Sequence, residues 1–448
     1  MSATNTFDFI IVGAGSAGCV LANHLSADRR FTVLLIEAGK MSHPLTPVPI
    51  SFSRFIDNPK VNWCYGSEPE PVMAQRSIPV PRGRMLGGSS AINGLVYVRG
   101  QPLDYNNWAK LGNRGWSFDD VLPIFQRMEN YGPGADEWRR QGGPLHVSEV
   151  ADQNPLYDAL IAAGEEIGLP NNPDYNGADQ TGLCKTQTTI RGGKRMSAAV
   201  AYLDREVPPE PDDRDRGLGT PSNVKRKTMH RHQLSVDGRT IDAQARVEVI
   251  LCWGSINSPQ LLGLSGIGQP ALLKSQGIEV CHSLPGLARV CAITSLHAWV
   301  GQSGNVACVQ RSGTRSRAPV ANCQIRDQED GFLSLPRPRL LLSLKPSRPG
   351  EPRRPAPSRP YRFPPHTPIL DEPGMRLPFT SCAPGKSGVN SYQVGDPHEA
   401  PAIRFNFLSN QMDPQTLVDA VRFTRRLMQA PGKDSFAVSS SSLGRRTK

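Results

Sequence analysis

The chain has 448 residues, 38% of them apolar, a mean hydropathy of −0.38 and a formal net charge of +11, which is length enough for two or three domains and a sizeable core. Its 41 prolines are about double the ordinary share, so part of the chain is not composed like a compact enzyme. Residues 1–286 hold 28 Lys and Arg against 29 Asp and Glu, so the positive charge belongs to the last 162 residues, and no apolar run approaches the roughly 20 residues of a membrane-spanning helix, which argues against membrane insertion.

Residues 7–12 are a continuous β-rich apolar run, the pattern of a buried parallel strand. Gly13-Ala14-Gly15-Ser16-Ala17-Gly18 follows, and residues 19–26 have helical spacing of apolar positions. Residues 31–36 repeat the buried-strand pattern and end at Glu37, which completes a βαβ unit. A Gly- and Ser-rich loop at 83–94 runs into an apolar strand at 95–100. Residues 104–131 read as helical, with Trp108, Trp116, Val121, Leu122 and Phe125 apolar, and 154–167 as an amphipathic helix. Residues 247–252 are again a buried strand leading into a helix at 258–264, and 414–428 form an amphipathic helix.

Two stretches break this order. Residues 206–231 are rich in Pro, Asp and Arg without a period of either kind, and 331–390 are roughly a quarter proline. Such composition buries too little to offset chain entropy, so 206–240 and 287–390 are expected to be irregular. The polar tail 432–448 is expected to be disordered. The basic stretch 331–390 lacks aromatics interleaved with Arg for base stacking and matches no nucleic-acid-binding module, so no nucleic-acid partner is expected. The nine cysteines form no CxxC pair, so neither a zinc site nor a redox dithiol is expected. Reduced thiols and a start without a basic, apolar leader point to a cytoplasmic location.

The first loop has the glycines a dinucleotide needs. Gly13 permits the tight turn, Gly15 lets backbone approach a pyrophosphate, and Gly18 lets helix and strand pack closely. Ser16 and Ala17 open the helix, whose free N–H groups and positive dipole end face the phosphates. Glu37, followed by Ala38, is an acceptor for an unphosphorylated ribose. These residues alone leave FAD and NAD both open.

Gly83-Arg84-Met85-Leu86-Gly87-Gly88-Ser89-Ser90-Ala91-Ile92-Asn93-Gly94, continuing into Leu95-Val96-Tyr97-Val98-Arg99-Gly100, resembles the first signature of the glucose-methanol-choline (GMC) oxidoreductases. Gly254-Ser255-Ile256-Asn257-Ser258-Pro259-Gln260-Leu261-Leu262 resembles the second, with Trp253 standing where the family tends to place a small residue. The resemblance covers 6–205 almost without interruption. It implies an α/β fold: an FAD-binding, doubly wound Rossmann-like domain with a second α+β substrate domain, incomplete at the C-terminus. The domain division implied is 1–286 for the FAD-binding part with interleaved substrate-domain segments, 287–390 as a Pro/Arg-rich irregular segment, 391–431 as a fragment of the C-terminal domain, and 432–448 as the tail.

The same resemblance implies hydride transfer from the CH–OH carbon of an alcohol to flavin N5, with a choline-like alcohol and a separate electron acceptor as partners. The residues it places at the cofactor are Gly13, Gly15, Ser16, Ala17, Gly18, Glu37, Ala38, Arg84, Gly87, Gly88, Ser89, Asn93, Gly94, Leu95 and Val96. Some members tether flavin through a histidine one residue before the asparagine; here Ile92 stands there, so the implied attachment is non-covalent. No catalytic residue or metal ligand is assigned. The last histidine, His398, reads as a surface loop residue, and His146 as a packed strand residue. Likeness to the family lapses after Ser283-Leu284-Pro285-Gly286 and returns near 387–396, the pattern of a displaced reading frame or, alternatively, of a genuine disordered insertion. Impaired activity is the expectation, because the resemblance finds no counterpart here of the family's C-terminal catalytic histidine region, the alternative being a non-catalytic truncated remnant.

Overall fold

The computed structural model describes residues 5–150, 155–203, 220–221, 231–236, 239–287, 295–303, 340–343, 374–381, 389–391, 399–408, 412–427, 429–430 and 438–439. Strand β1 (Asn5–Val12) leads through the glycine loop into helix α1 (Ser16–Ala27) and back to strand β2 (Val33–Ile36). The two strands are parallel, with Phe9 opposite Val33 and Val12 opposite Ile36. On its other edge β1 pairs in parallel with the distant strand Arg239–Leu251, from Asn5 opposite Ala243 to Val12 opposite Leu251, with a register shift between Phe7 and Phe9. An antiparallel strand, Arg231–Val236, extends this sheet, and Thr220–Pro221 closes its edge.

Continuous apolarity in β1 follows from burial on both faces: Ile10, Ile11 and Val12 are all inaccessible. One face meets Ile36, Val249 and Leu261, with Trp253 packed alongside. The glycine loop and the start of α1 meet Leu86, Ala198, Ala199 and Tyr202. Each such side chain contributes about 1.5–3 kcal/mol on leaving water, so the loop hangs between two packed layers.

A second region holds a three-stranded sheet, Glu129–Tyr131, Leu145–Glu149 and Gln187–Thr188. At its heart the buried Glu129 receives Arg99 Nη2 at 2.7 Å and Arg139 Nε at 3.0 Å. Arg139 also reaches Asp174 at 2.8 Å and lies 3.6 Å from the Tyr131 ring centroid. Helix Pro155–Glu166 and helix Met412–Leu427 share a core there, with Ala163, Leu169, Leu183 and Leu427 in contact.

Several expectations need correction. Residues 104–131 are not one helix: Pro102–Lys110 ends before Gly112 and Gly115, both at positive φ. A capping box of Ser117 with Asp120 restarts the chain as Phe118–Met128, and Glu129–Tyr131 is a strand. Residues 95–100 are not a strand. Leu95 sits at φ +69°, and Val96 makes a single bridge to Thr188. The stretches read as irregular contain strands wherever they are described. Arg231–Val236 pairs antiparallel with Arg239–Leu251, and Ser295–Ser303 with Gly374–Ser381. Leu340–Ser343 pairs with Gly182–Lys185, and in the tail Val438 lies opposite Ser303. Non-local partners supplied the pairing that composition did not advertise. Among the described residues no helix is long and apolar enough to cross a membrane.

Candidate flavin site

The first loop is shaped by what its glycines exclude. Gly13 takes φ +102°, and a side chain there would meet the Cys252 carbonyl oxygen at 2.7 Å. A Cβ on Gly18 would strike the Gly13 carbonyl oxygen, so helix and loop touch backbone to backbone. Gly15 caps α1 without a side-chain hydrogen bond, while Ser16 and Ala17 are exposed at its first turn. Those amides point their N–H groups outward with the helix dipole behind them, the arrangement that takes a phosphate.

Glu37 ends β2 and is 5% exposed. Its Oε2 accepts from Ala14 N at 3.0 Å and its Oε1 from Gly39 N at 3.0 Å. Burial pushes its carboxyl up to about 7, against the pull of these amides and of the Arg84 guanidinium. Each oxygen keeps a lone pair for a ligand hydroxyl. Ala38 is half-buried beside it.

The second loop interlocks with the first. Gly87 N donates to Ala14 O at 2.8 Å, and Leu86 N to Lys40 O at 3.0 Å. Gly87 and Gly88 both have positive φ, and a Cβ on Gly88 would sit 2.7 Å from the Gly15 Cα. Only glycine satisfies both demands at once. Ser89 Oγ accepts from Gly83 N at 3.1 Å, and Ser90 Oγ donates to Gly87 O at 2.6 Å. Asn93 is exposed, whereas Gly94 and Leu95 are buried and Val96 is half-buried. The Arg84 guanidinium lies 4.9 Å from the Trp63 ring centroid, and its buried Nε has no partner among the described residues.

The second signature arrives from the far strand. Cys252 N donates to Val12 O at 2.7 Å, Gly254 turns at φ +81°, and the helix Gly254–Leu264 begins. Trp253 is accommodated rather than crowding that turn: it packs on the sheet core and edge-on against Trp63 at 6.1 Å. Asn257 Nδ2 donates to Tyr65 Oη at 2.7 Å.

The structure therefore gathers the residues singled out in the sequence into two touching loops. The cradle fits a flavin dinucleotide: two backbone approaches that a Cβ would fill, an uncapped helix start, a buried carboxyl and an unpartnered guanidinium N–H. Ile92 is 7% exposed and packed with Phe55, Val61, Met85 and Ala91. His146 lies on the strand Leu145–Glu149 with burial lowering its pKa, and His398 falls outside the described residues.

Sequence reasoning missed Arg195 and Ser197, which brace the second loop from behind. Ser197 Oγ would be 3.3 Å from a Cβ on Gly87. The signal present was the pair Gly192-Gly193, a two-residue hairpin turn at φ +52° and +68° that sets Arg195 opposite Ile190.

A GMC oxidoreductase family model matches residues 7–284. The chain belongs to the GMC oxidoreductase family. Members are FAD-dependent flavoproteins, and the α/β architecture above is that of their FAD-binding domain. The oxygen-dependent choline dehydrogenase of Photobacterium profundum is 35% identical over 453 residues, 96% of this chain and 77% of its own length. That of Brucella anthropi is 42% identical over 283 residues, 63% of this chain and 52% of its own length. Among solved structures, pyridoxine 4-oxidase from Mesorbium loti superposes with a TM-score of 0.79 at 24% identity, covering 98% of this chain and 84% of that one. A formate oxidase variant of Aspergillus oryzae RIB40 gives 0.85 at 20%, covering 100% and 85%. At those identities the GMC structures share the fold.

Proposed function

We propose that this GMC protein is an oxidoreductase acting on the CH–OH group of a small alcohol, choline-like in the first instance, with FAD held non-covalently. The observation that carries the reading is the Gly87 N to Ala14 O bond at 2.8 Å, which locks the two glycine loops together backbone to backbone. The residues proposed to hold the cofactor are Gly13, Gly15, Ser16, Ala17 and Gly18 at the pyrophosphate and Glu37 with Ala38 at the ribose. Arg84, Gly87, Gly88, Ser89, Asn93, Gly94, Leu95 and Val96 lie along the ring side. The flavin, when bound, supplies the hydride acceptor. The chain's own residues orient it: α1 presents N–H groups to the phosphates, Glu37 accepts from the ribose, and the glycines keep side chains out of its path.

Non-covalent attachment is supported by Ile92, an aliphatic residue turned into the core. The substrate class is supported by the activity for which the two choline dehydrogenases above are named. The test is purification of the protein, a visible spectrum, and anaerobic addition of choline or another primary alcohol. A yellow protein whose flavin is released by acid and bleached by the alcohol is expected. Colourless protein sinks the reading. Yellow protein that no alcohol bleaches supports flavin binding without catalysis, the alternative reached from the sequence.

A further inference from the structure

Arg195 is 2% exposed, yet it has no carboxylate partner among the described residues. Its guanidinium is solvated entirely by neutral oxygens. Nε donates to Thr46 O at 3.0 Å, while Nη1 donates to Asn93 O at 2.7 Å, Asn93 Oδ1 at 2.8 Å and Ser90 O at 3.3 Å. Nη2 reaches Pro49 O at 3.5 Å, and the backbone N of Arg195 donates to Pro47 O at 2.9 Å. A cation removed from water without an opposite charge costs several kcal/mol, about the scale that disfavours such groups in interiors. Burial pulls this guanidinium down to about 9.

Two consequences follow for the loop it grips. Asn93 Oδ1 accepts from both Arg195 Nη1 at 2.8 Å and Leu95 N at 3.1 Å, which fixes the carboxamide with oxygen inward. The remaining half, the Nδ2 donor, belongs to a residue that is exposed. The positive charge, neutralised by no acid among the described residues, sits behind that loop and acts through low-dielectric surroundings, where its field is strong.

We propose that Arg195 is a positioning residue for the flavin: it holds the Asn93 amide donor toward the ligand and places an unneutralised positive charge behind residues 87–93, which raises the ring's reduction potential. The proposal rests on the flavin reading above. Reduction adds two electrons and one proton to give a ring carrying one negative charge, and a fixed cation favours that state.

The experiment compares the purified holoprotein with Arg195→Lys, Arg195→Met and Asn93→Asp, reading the flavin dissociation constant and the midpoint potential in a dye-equilibrated dithionite titration. Lysine keeps the charge but not the fork, so it is expected to weaken flavin binding about tenfold with little change in potential. Methionine is expected to favour the oxidised state at least tenfold, a shift of about 30 mV for a two-electron couple. Should that variant fail to fold, Asn93→Asp gives Arg195 an acid partner in place and is expected to shift the potential in the same direction. Loaded parent protein with an unchanged potential in Asn93→Asp, or with Arg195→Lys binding flavin as the parent does, overturns the proposal alone. A parent protein without flavin overturns the cofactor reading as well.

Discussion

Gly88 stands against Gly15 so closely that a Cβ on Gly88 would lie 2.7 Å from the Gly15 Cα. The two loops therefore meet as bare backbone, and Gly87 N bonded to Ala14 O at 2.8 Å sets their spacing. Replacing Gly88 by alanine has to push the loops apart and also strains a residue at φ +53°. The expected result is a loss of about 1–3 kcal/mol of stability and the loss of bound flavin. Thermal melting and the flavin-to-protein absorbance ratio check it; a Gly88→Ala protein with full flavin content contradicts it.

The Glu37 carboxyl gives a pH dependence with a definite sign. Unfolded, it titrates near 4.3; folded, burial raises it to about 7. Between those values the folded chain keeps a proton that the unfolded chain has released, so stability is highest below the lower value and falls as pH rises to about 7. The total is about 4 kcal/mol. Urea unfolding of flavin-free protein at pH 5 and pH 8 measures it. Glu37→Gln should flatten the difference, and a variant with the parent's slope would place the dependence elsewhere.

Glu70 fastens residues 405–407 to the N-terminal part of the chain. Its Oε1 accepts from Phe405 N at 2.7 Å and Asn406 N at 3.1 Å, and its Oε2 from Phe407 N at 3.1 Å. Glu70→Ala strands three backbone donors in a largely buried place, for an expected loss of about 3 kcal/mol. Limited proteolysis around residue 406 should accelerate in the variant, and an unchanged cleavage rate rules the clasp unimportant.

Glu129 balances two buried arginines, Arg99 and Arg139. Its removal in Glu129→Ala leaves Arg99 without an acid among the described residues and is expected to cost about 3–5 kcal/mol. Chemical denaturation would show it. Asp174→Ala, at a partly exposed partner of Arg139, should cost less.

Much of the cofactor cradle was legible because glycines betray backbone geometry. Gly13, Gly18 and Gly88 each fill a place that a Cβ could not, Gly87 turns at φ +89°, and apolar runs on either side of the first loop marked the strands that carry it. The break between the two helices at 102–128 was also written in Gly112, Gly115 and the Ser117 capping box, although apolar spacing alone runs straight across it. Arg195 was not legible. Its role depends on Thr46, Pro49, Ser90 and Asn93 converging from chain segments more than 100 residues away, which no local pattern encodes. Likewise Arg231–Val236 reads as polar and aperiodic, and becomes a strand because Arg239–Leu251 offers it an edge.

During synthesis, β1 must wait for its neighbour. The strand that flanks it in parallel ends at Leu251, so the nucleotide loop lacks one wall until some 250 residues have been made, roughly 12–50 s at usual elongation rates. Through that interval the apolar edge of residues 7–12 stands bare. A chaperone that shields nascent strands should therefore raise the yield of this protein more than one that rescues finished chains.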